Sequence, residues 1–146
     1  MRALHDAGYK TELERRLRSL RADSQRRWGK MSVGQMLWHV NEAMASALGH
    51  VQLPPAKSPL PGPLMRFIVI KIPWPKGAPT LPTWMPDKDY DFASERDRCL
   101  RLVDEFAARR LEGEWPPSPV LGRLSGKQVT RLYAKHLDHH LKQFGV

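Results

Sequence analysis

Hydrophobic positions recur at helical spacing in four stretches of the chain. The clearest stretch is the last one, residues 125–146, in which apolar residues follow one another every three or four positions and charged residues lie opposite. Ser125 and Gln128 match a capping box, which predicts that a helix begins there. The side of this helix that should face a core carries Val129, Leu132, Tyr133, His136, His140 and Phe144.

Three earlier stretches also predict helices. They cover residues 11–23, 32–48 and about 91–111. The first two open on capping boxes, formed by Thr11 with Glu14 and by Ser32 with Gln35. Gly49 is a natural C-terminal stop for the second helix. With no convincing strand pattern, four amphipathic helices favour an all-α protein, a four-helix bundle, formed by residues 1–146 as a single domain.

The second and third predicted helices are separated by a long proline-rich connection. Ten of the thirteen prolines lie between Pro54 and Pro86, and their missing amide protons oppose long regular structure. Within it, Leu64 to Ile72 predicts a short helical piece, with a strand as the alternative. Trp74 and Trp84 could wall a pocket beside the histidines, or they could simply anchor the loop on the bundle.

Composition places the chain among ordinary globular proteins. Hydrophobic residues make up 41% and charged residues 27%, and no apolar run approaches the length that spans a bilayer. The first residues lack the apolar core of a signal peptide, so a soluble cytoplasmic protein without a membrane partner is expected. The single cysteine, Cys99, fits the apolar side of the third helix as a core residue.

A net charge of +9 raises the alternative of a noncatalytic module that binds nucleic acid or an acidic protein. Lysines and arginines are spread over every segment, which disfavours a nucleic-acid reading surface. The densest group could face an anion or form an ordinary solvated surface; it comprises Arg15, Arg16, Arg18, Arg21, Arg26 and Arg27.

The candidate chemistry lies with the histidines. His136 and His140 are one helical turn apart and can reach the same ion, as in helical zinc half-sites. The best third ligand is His39, which flanks the apolar side of the second helix. His139 is an alternative ligand or a supporting residue. A polar cluster held by hydrogen bonds in the core is the competing interpretation.

Three neutral imidazoles would leave a fourth coordination position open to water or substrate, the pattern of a catalytic metal site. Glu42, one turn beyond His39, is the nearest candidate for a general base, although a surface position is the simpler interpretation. Asp138, between the last histidines, is the other nearby carboxylate for a general-base or orienting role, but it falls on the polar side of its helix, which favours a surface residue.

Two histidine-bearing motifs carry a resemblance to a known family. RWGKMSVGQMLWHV at 27–40 and KHLDHHLKQFG at 135–145, with APTLP at 78–82 between them, resemble the DinB-like superfamily of small four-helix proteins. Within it, the chain is similar to an uncharacterised bacterial subfamily of the DUF1569 type. The resemblance implies that His39, His136 and His140 bind zinc or nickel.

Relatives in that superfamily include transferases and isomerases that use a low-molecular-weight thiol. The resemblance therefore implies a metal-dependent enzyme acting on a small molecule, either a thiol-dependent transferase or a hydrolase. Arg66, Lys71 and Lys76 could attract an anionic thiol, or remain solvated. A histidine network without activity is a further hypothesis, and an exposed bundle face leaves a homodimer open.

Overall fold

A computed structural model describes residues 2–78 and 82–146 of the chain. The described residues are all-helical, and their only β-type pairing is an isolated bridge between Ser118 and Gly122. The elements are α1 (Ala7–Ser19), α2 (Val33–Leu48), α3 (Gly62–Lys71), a 3₁₀ turn (Pro82–Trp84), α4 (Phe92–Ala108) and α5 (Gly126–Gln143). The all-α prediction is confirmed.

The local signals at α2 and α5 placed both helix starts correctly. Ser32 and Ser125 are the N-caps, and each forms a complete capping box with the glutamine three residues later. Each box satisfies two backbone N–H donors that would otherwise lack a partner at the helix start. Gly49 ends α2 in the left-handed conformation, at φ 87°. These two helices carry the three histidines of the candidate site. The residue at which each helix begins determines how far along the helix each imidazole lies.

The predicted start of α1 is wrong. Asp6 is the N-cap, and its carboxylate accepts the backbone N–H of Tyr9 at 3.2 Å. Thr11 lies inside the helix, where its hydroxyl donates to the carbonyl of Ala7 at 2.9 Å. The helix also ends earlier than expected, because Leu20 already has extended backbone angles. An aspartate five residues upstream therefore supplied the cap instead of Thr11.

α4 also ends before its predicted limit. It begins at its N-cap Asp91, as expected, but stops at Ala108 rather than Leu111. Arg109 adopts extended backbone angles, and its guanidinium donates to the carbonyls of Leu48 and Glu114, both at 3.1 Å. The extended backbone at Arg109 ends the helix, and its bond to Leu48 joins this point to the end of α2.

The stretch 64–72 forms a helix, so its strand alternative is wrong and the helix count rises to five within the described residues. Pro63 lies in the first turn of α3, where a missing N–H costs nothing. The other end is held by Lys135 of α5, whose ammonium donates to the carbonyls of Val69 at 2.7 Å and Ile72 at 2.5 Å. A lysine thus satisfies carbonyls that the end of a helix leaves without partners.

The other four helices share one core. α2 packs on α4 and α5, and α1 packs on the same two helices. Phe106, Met36 and Leu137 are among the fully buried side chains, and Cys99 is buried among them, as predicted. Burial raises the pKa of the Cys99 thiol to about 12, which suits a packing role rather than a reactive one.

The APTLP stretch includes residues 79–81, which the structure does not describe. Within the described residues, no helix combines the length and apolar character needed to cross a bilayer.

The arginine-rich first helix is not uniformly solvated. Arg16 is only 7% exposed, and its guanidinium binds Asp138 of α5 at 2.8 Å and the carbonyl of Val146 at 2.8 Å. Asp138 was predicted to be a surface residue, but it is half-buried and also accepts from Lys142 at 2.7 Å. Burial opposes its ionisation, yet the hydrogen bonds from Lys142 and Arg16 leave the pKa of Asp138 lowered. This contact ties α1 to the histidine-bearing helix.

Replacing Arg16 should test this tie. Arg16→Ala would leave Asp138 with Lys142 alone and remove a buried stem, so we expect the free energy of unfolding to fall by about 2 kcal/mol. Arg15→Ala, at the exposed neighbouring position, is the matched control and should change it by less than about 0.5 kcal/mol. Urea denaturation measures both, and equal effects would contradict the assignment.

Gly34 supplies a second test because α2 approaches the chain around Tyr90 too closely for a side chain. A Cβ at Gly34 would lie 2.3 Å from the carbonyl oxygen of Tyr90, whereas one at Gly62 would meet nothing within 4 Å. We expect Gly34→Ala to lower the melting temperature by roughly 4–8 °C. Gly62→Ala should leave it unchanged or slightly higher. A tolerated Gly34→Ala would show that the approach is looser than described.

Candidate metal centre

Three histidines from two helices meet in the core. His39 of α2 and His136 and His140 of α5 are 3%, 8% and 7% exposed. Their ring centroids form a nearly equilateral triangle with sides of 4.9, 4.8 and 4.8 Å. One nitrogen from each ring lies within 4.8 Å of the other two. The structure therefore brings together the three residues that spacing singled out.

A backbone carbonyl fixes the proton position on His39. Nδ1 of His39 lies 2.9 Å from the carbonyl oxygen of Trp84, in the 3₁₀ turn. A carbonyl can only accept, so Nδ1 carries the proton and Nε2 of His39 presents its lone pair. Nε2 of His136 lies 3.0 Å from that atom and donates to it when no ion is shared between the two rings.

Gln143 fixes the proton position on His140 in the same way. The amide nitrogen of Gln143 donates to the carbonyl of Trp28 at 3.0 Å, which determines the orientation of the amide group. Its oxygen then faces Nδ1 of His140 at 2.8 Å and accepts the proton. Nε2 of His140 is left with a free lone pair, as in metal-binding histidines whose second nitrogen is held by an oxygen acceptor.

Burial keeps all three imidazoles neutral at physiological pH. Desolvation lowers the pKa of His39, lowers that of His136 well below its usual value, and lowers that of His140 to about 3. The neighbouring histidines add to the effect for His136 and His140. Neutral imidazole is the form that binds metal, so the cluster needs no deprotonation before it can act as a ligand set.

Two tryptophans and a fourth histidine cover one side of the cluster. Trp74 lies with its ring 5.5 Å from His136 and 5.6 Å from His139, and its indole N–H donates to the carbonyl of Val69 at 2.8 Å. The ring centroids of Trp28 and His139 are 5.8 Å apart, in an edge-to-face arrangement. His139 is half-buried between these rings and lies outside the three-residue group, so its position suits a supporting role better than coordination.

The candidate carboxylates lie elsewhere. Glu42 accepts from Arg98 of α4 at 2.9 Å, and Asp138 is paired with Arg16 and Lys142. Neither belongs to the group that the three histidines form among the described residues. The role of Glu42 as a general base therefore stays a prediction, with a structural ion pair as its observed contact.

The remaining histidines serve other contacts. His5 bonds to the carbonyl of Arg109 at 2.6 Å, and His50 to the carboxylate of Glu105 at 2.6 Å. Of the residues that hold the cluster, sequence patterns did not single out Gln143, although its position three residues after His140 was a usable signal. The carbonyls of Trp28 and Trp84 had no signal, because any residue supplies a carbonyl.

The donor set fits a tetrahedral divalent ion with nitrogen ligands. Bonds of about 2.1 Å at tetrahedral angles separate two ligand nitrogens by about 3.4 Å. The 3.0 Å between Nε2 of His39 and Nε2 of His136 is slightly shorter, and the three ligand nitrogens lie within 4.8 Å of one another, so rotations of the rings would bring them to that spacing. Two of the three Nε2 lone pairs are already set by their partners. The residues present therefore fit a metal ion.

The fold and the cluster together define a small all-helical protein with three buried histidines capable of holding a metal ion. The chain belongs to the DUF1569 family, described as a protein of unknown function, whose model matches residues 6–145. No curated protein and no solved structure matches the chain significantly.

The cluster predicts a dependence of stability on pH in metal-free protein. The three folded-state pKa values are lowered from 6.5, so unfolding takes up protons below about pH 6.5. The stabilisation is complete above that pH and is lost as the pH falls, at on the order of 1 kcal/mol per pH unit for each histidine. Between about pH 6.5 and 4.5 the free energy of unfolding should therefore fall less steeply with falling pH in His140→Gln than in wild type. The difference should equal the contribution of one histidine.

Urea denaturation in the presence of a chelator measures this slope. A wild-type slope in His140→Gln would show that His140 is protonated in the folded protein.

Proposed function

We propose that this protein is a divalent-metal-dependent enzyme whose metal is held by His39, His136 and His140. The observation that carries the proposal is the pair of fixed tautomers, since Trp84 and Gln143 direct two Nε2 lone pairs into one buried triangle. In metal-free protein Nε2 of His136 can donate to the lone pair of His39, whereas a shared ion would use the inward lone pairs of His39 and His140 together. This asymmetry favours a shared ion.

Zinc and nickel are the ions that suit such a set. Neutral imidazoles are common ligands of both, whereas magnesium and calcium prefer oxygen. When bound, such an ion acts as a Lewis acid that lowers the pKa of a coordinated water or thiol and so provides a nucleophile. Within the described residues no aspartate, glutamate or cysteine joins the three histidines, which leaves coordination positions for an exogenous ligand.

We infer further that the exogenous ligand is a small molecule, with a low-molecular-weight thiol as the first candidate. The histidine positions and the mutual packing of α1, α2, α4 and α5 are in keeping with a DinB-like four-helix bundle, and that resemblance is the basis for the thiol. A thiol-dependent transferase and a hydrolase differ in whether a thiol or a water attacks the substrate.

The chain itself supplies positioning and water exclusion. Trp74 packs on His136 from one side, and the turn that contains Trp84 lies against His39. Because each histidine is less than 10% exposed, a substrate reaches the cluster only when these surrounding groups move. The indole nitrogen of Trp84 is buried without a partner among the described residues, so this turn also offers a hydrogen-bond donor.

Metal content tests the proposal directly. Protein purified without a nickel column should carry about one zinc or nickel ion per chain, and His39→Ala and His136→Ala should each bind at least tenfold more weakly, because two ligands hold an ion poorly. His50→Ala should bind as the wild type does. His139→Ala should also keep its metal, since His139 lies outside the group.

The same variants separate a metal centre from a structural network. A chelator should lower the melting temperature of wild type and His50→Ala and leave that of His39→Ala unchanged, because only a bound ion adds stability. Equal metal content in wild type and His39→Ala would defeat the proposal. In cobalt-substituted protein, mercaptoethanol should produce a thiolate-to-cobalt absorption band, and failure to do so would favour water over a thiol as the nucleophile.

A further inference from the structure

The apolar surface of the protein is concentrated in the proline-rich connection. Within the described residues, every exposed large hydrophobic side chain lies between positions 60 and 85. They are Leu60, Leu64, Phe67, Ile68, Ile72 and Met85, and Phe67 and Met85 are 55% and 59% exposed. Clustered exposed apolar groups on a soluble domain generally mark a surface that contacts something else.

α3 presents these residues at helical spacing. Leu64, Phe67 and Ile68 follow the i, i+3, i+4 pattern and are all exposed, so they share the outward side of the helix. Its inward side is already occupied, since Ile70 is buried and Met65 and Val69 pack on the core. The outward side is therefore a second apolar face, which the described residues leave exposed.

The charge of the same segment has one sign. Residues 43–86 contain no aspartate or glutamate, and their charged residues are Lys57, Arg66, Lys71 and Lys76. An approaching second copy would bring the same basic rim and another +9 charge, which opposes self-association through this face. An anionic partner is favoured instead.

A groove beside the C-terminal end of α3 adds further cations. It has a volume of about 250 Å³, and its walls include Ile70, Lys71, Arg2 and Arg131. The ammonium of Lys135 lines it too, but already donates to the carbonyls of Val69 and Ile72. Asp138 also lines it, but its carboxylate is engaged by Arg16 and Lys142. The groove thus combines an apolar wall with guanidinium and ammonium groups, which suits a phosphate-bearing headgroup.

We propose that this surface docks on an anionic phospholipid membrane. Leu64, Phe67 and Ile68 would enter the boundary between headgroups and acyl chains, while Lys71 and the groove face lipid phosphates. A bilayer accepts protruding apolar side chains without a matching cavity, and basic residues near its surface add affinity. Contact with the membrane surface does not require a helix that crosses the bilayer, and the described residues contain none.

Vesicle sedimentation tests the proposal with the full chain. Wild type should bind vesicles of mixed phosphatidylserine and phosphatidylcholine in about 50 mM sodium chloride, and release from them in about 500 mM. Vesicles of phosphatidylcholine alone should bind at least fivefold more weakly. No sedimentation with the anionic vesicles at low salt would overturn the proposal.

Variants locate the contact. Phe67→Ser removes an exposed apolar group and should weaken binding about fivefold or more, without loss of helicity by circular dichroism. Lys71→Glu should weaken it roughly tenfold or more, whereas Lys127→Glu makes the same charge change at an exposed position on α5 and should have less than about a twofold effect.

Two other outcomes would assign the surface differently. If Lys127→Glu weakens binding as much as Lys71→Glu, the attraction is a general effect of net charge and the docking surface is wrong. If wild type forms a dimer that Phe67→Ser abolishes and does not bind vesicles, the face belongs to a second copy of the chain. Neither result depends on metal content, so this test is independent of the proposed enzyme function.

Discussion

The buried triangle of His39, His136 and His140 is the constraint that the surrounding structure satisfies. Imidazole nitrogens in a core are costly unless each finds a partner, and the pairing has to be complete because water is excluded. The carbonyl of Trp84 and the amide oxygen of Gln143 each accept one ring N–H, from His39 and His140, outside the triangle. Those contacts direct the Nε2 lone pairs of His39 and His140 inward, an arrangement that suits ligands of a shared cation.

The proline-rich connection is held to the histidine-bearing helix by a small number of polar contacts. Lys135 binds carbonyls at the end of α3, and Trp74 closes the next turn by donating to Val69. The ammonium of Lys135 also lies 5.1 Å from the Trp74 ring, and its burial lowers the pKa of that lysine. One side of this segment therefore covers the proposed metal centre, while the other carries the apolar and basic surface.

Helix starts were predictable where the cap is local and has no competitor. Ser32 and Ser125 each bond to the glutamine three residues on, so sequence spacing alone contains the whole interaction. Thr11 matched the same pattern and failed, because Asp6 provides an earlier cap and α1 continues through Thr11. The predicted end of α4 failed for a different reason, since Arg109 leaves the helix where its guanidinium bonds to the carbonyl of Leu48, which is distant in the sequence.

The sequence by itself determined the helical class and the pairing of His136 with His140, because one helical turn fixes their relative position. It also indicated His39 as the third member, although only the packing of α2 on α5 could bring that ring within 3.0 Å of His136. The tertiary structure alone decided the tautomers and the burial of Arg16, since their partners include the backbone carbonyls of Trp28, Trp84 and Val146. Every residue has such a carbonyl, so no side-chain pattern can show in advance which one a distant nitrogen will reach.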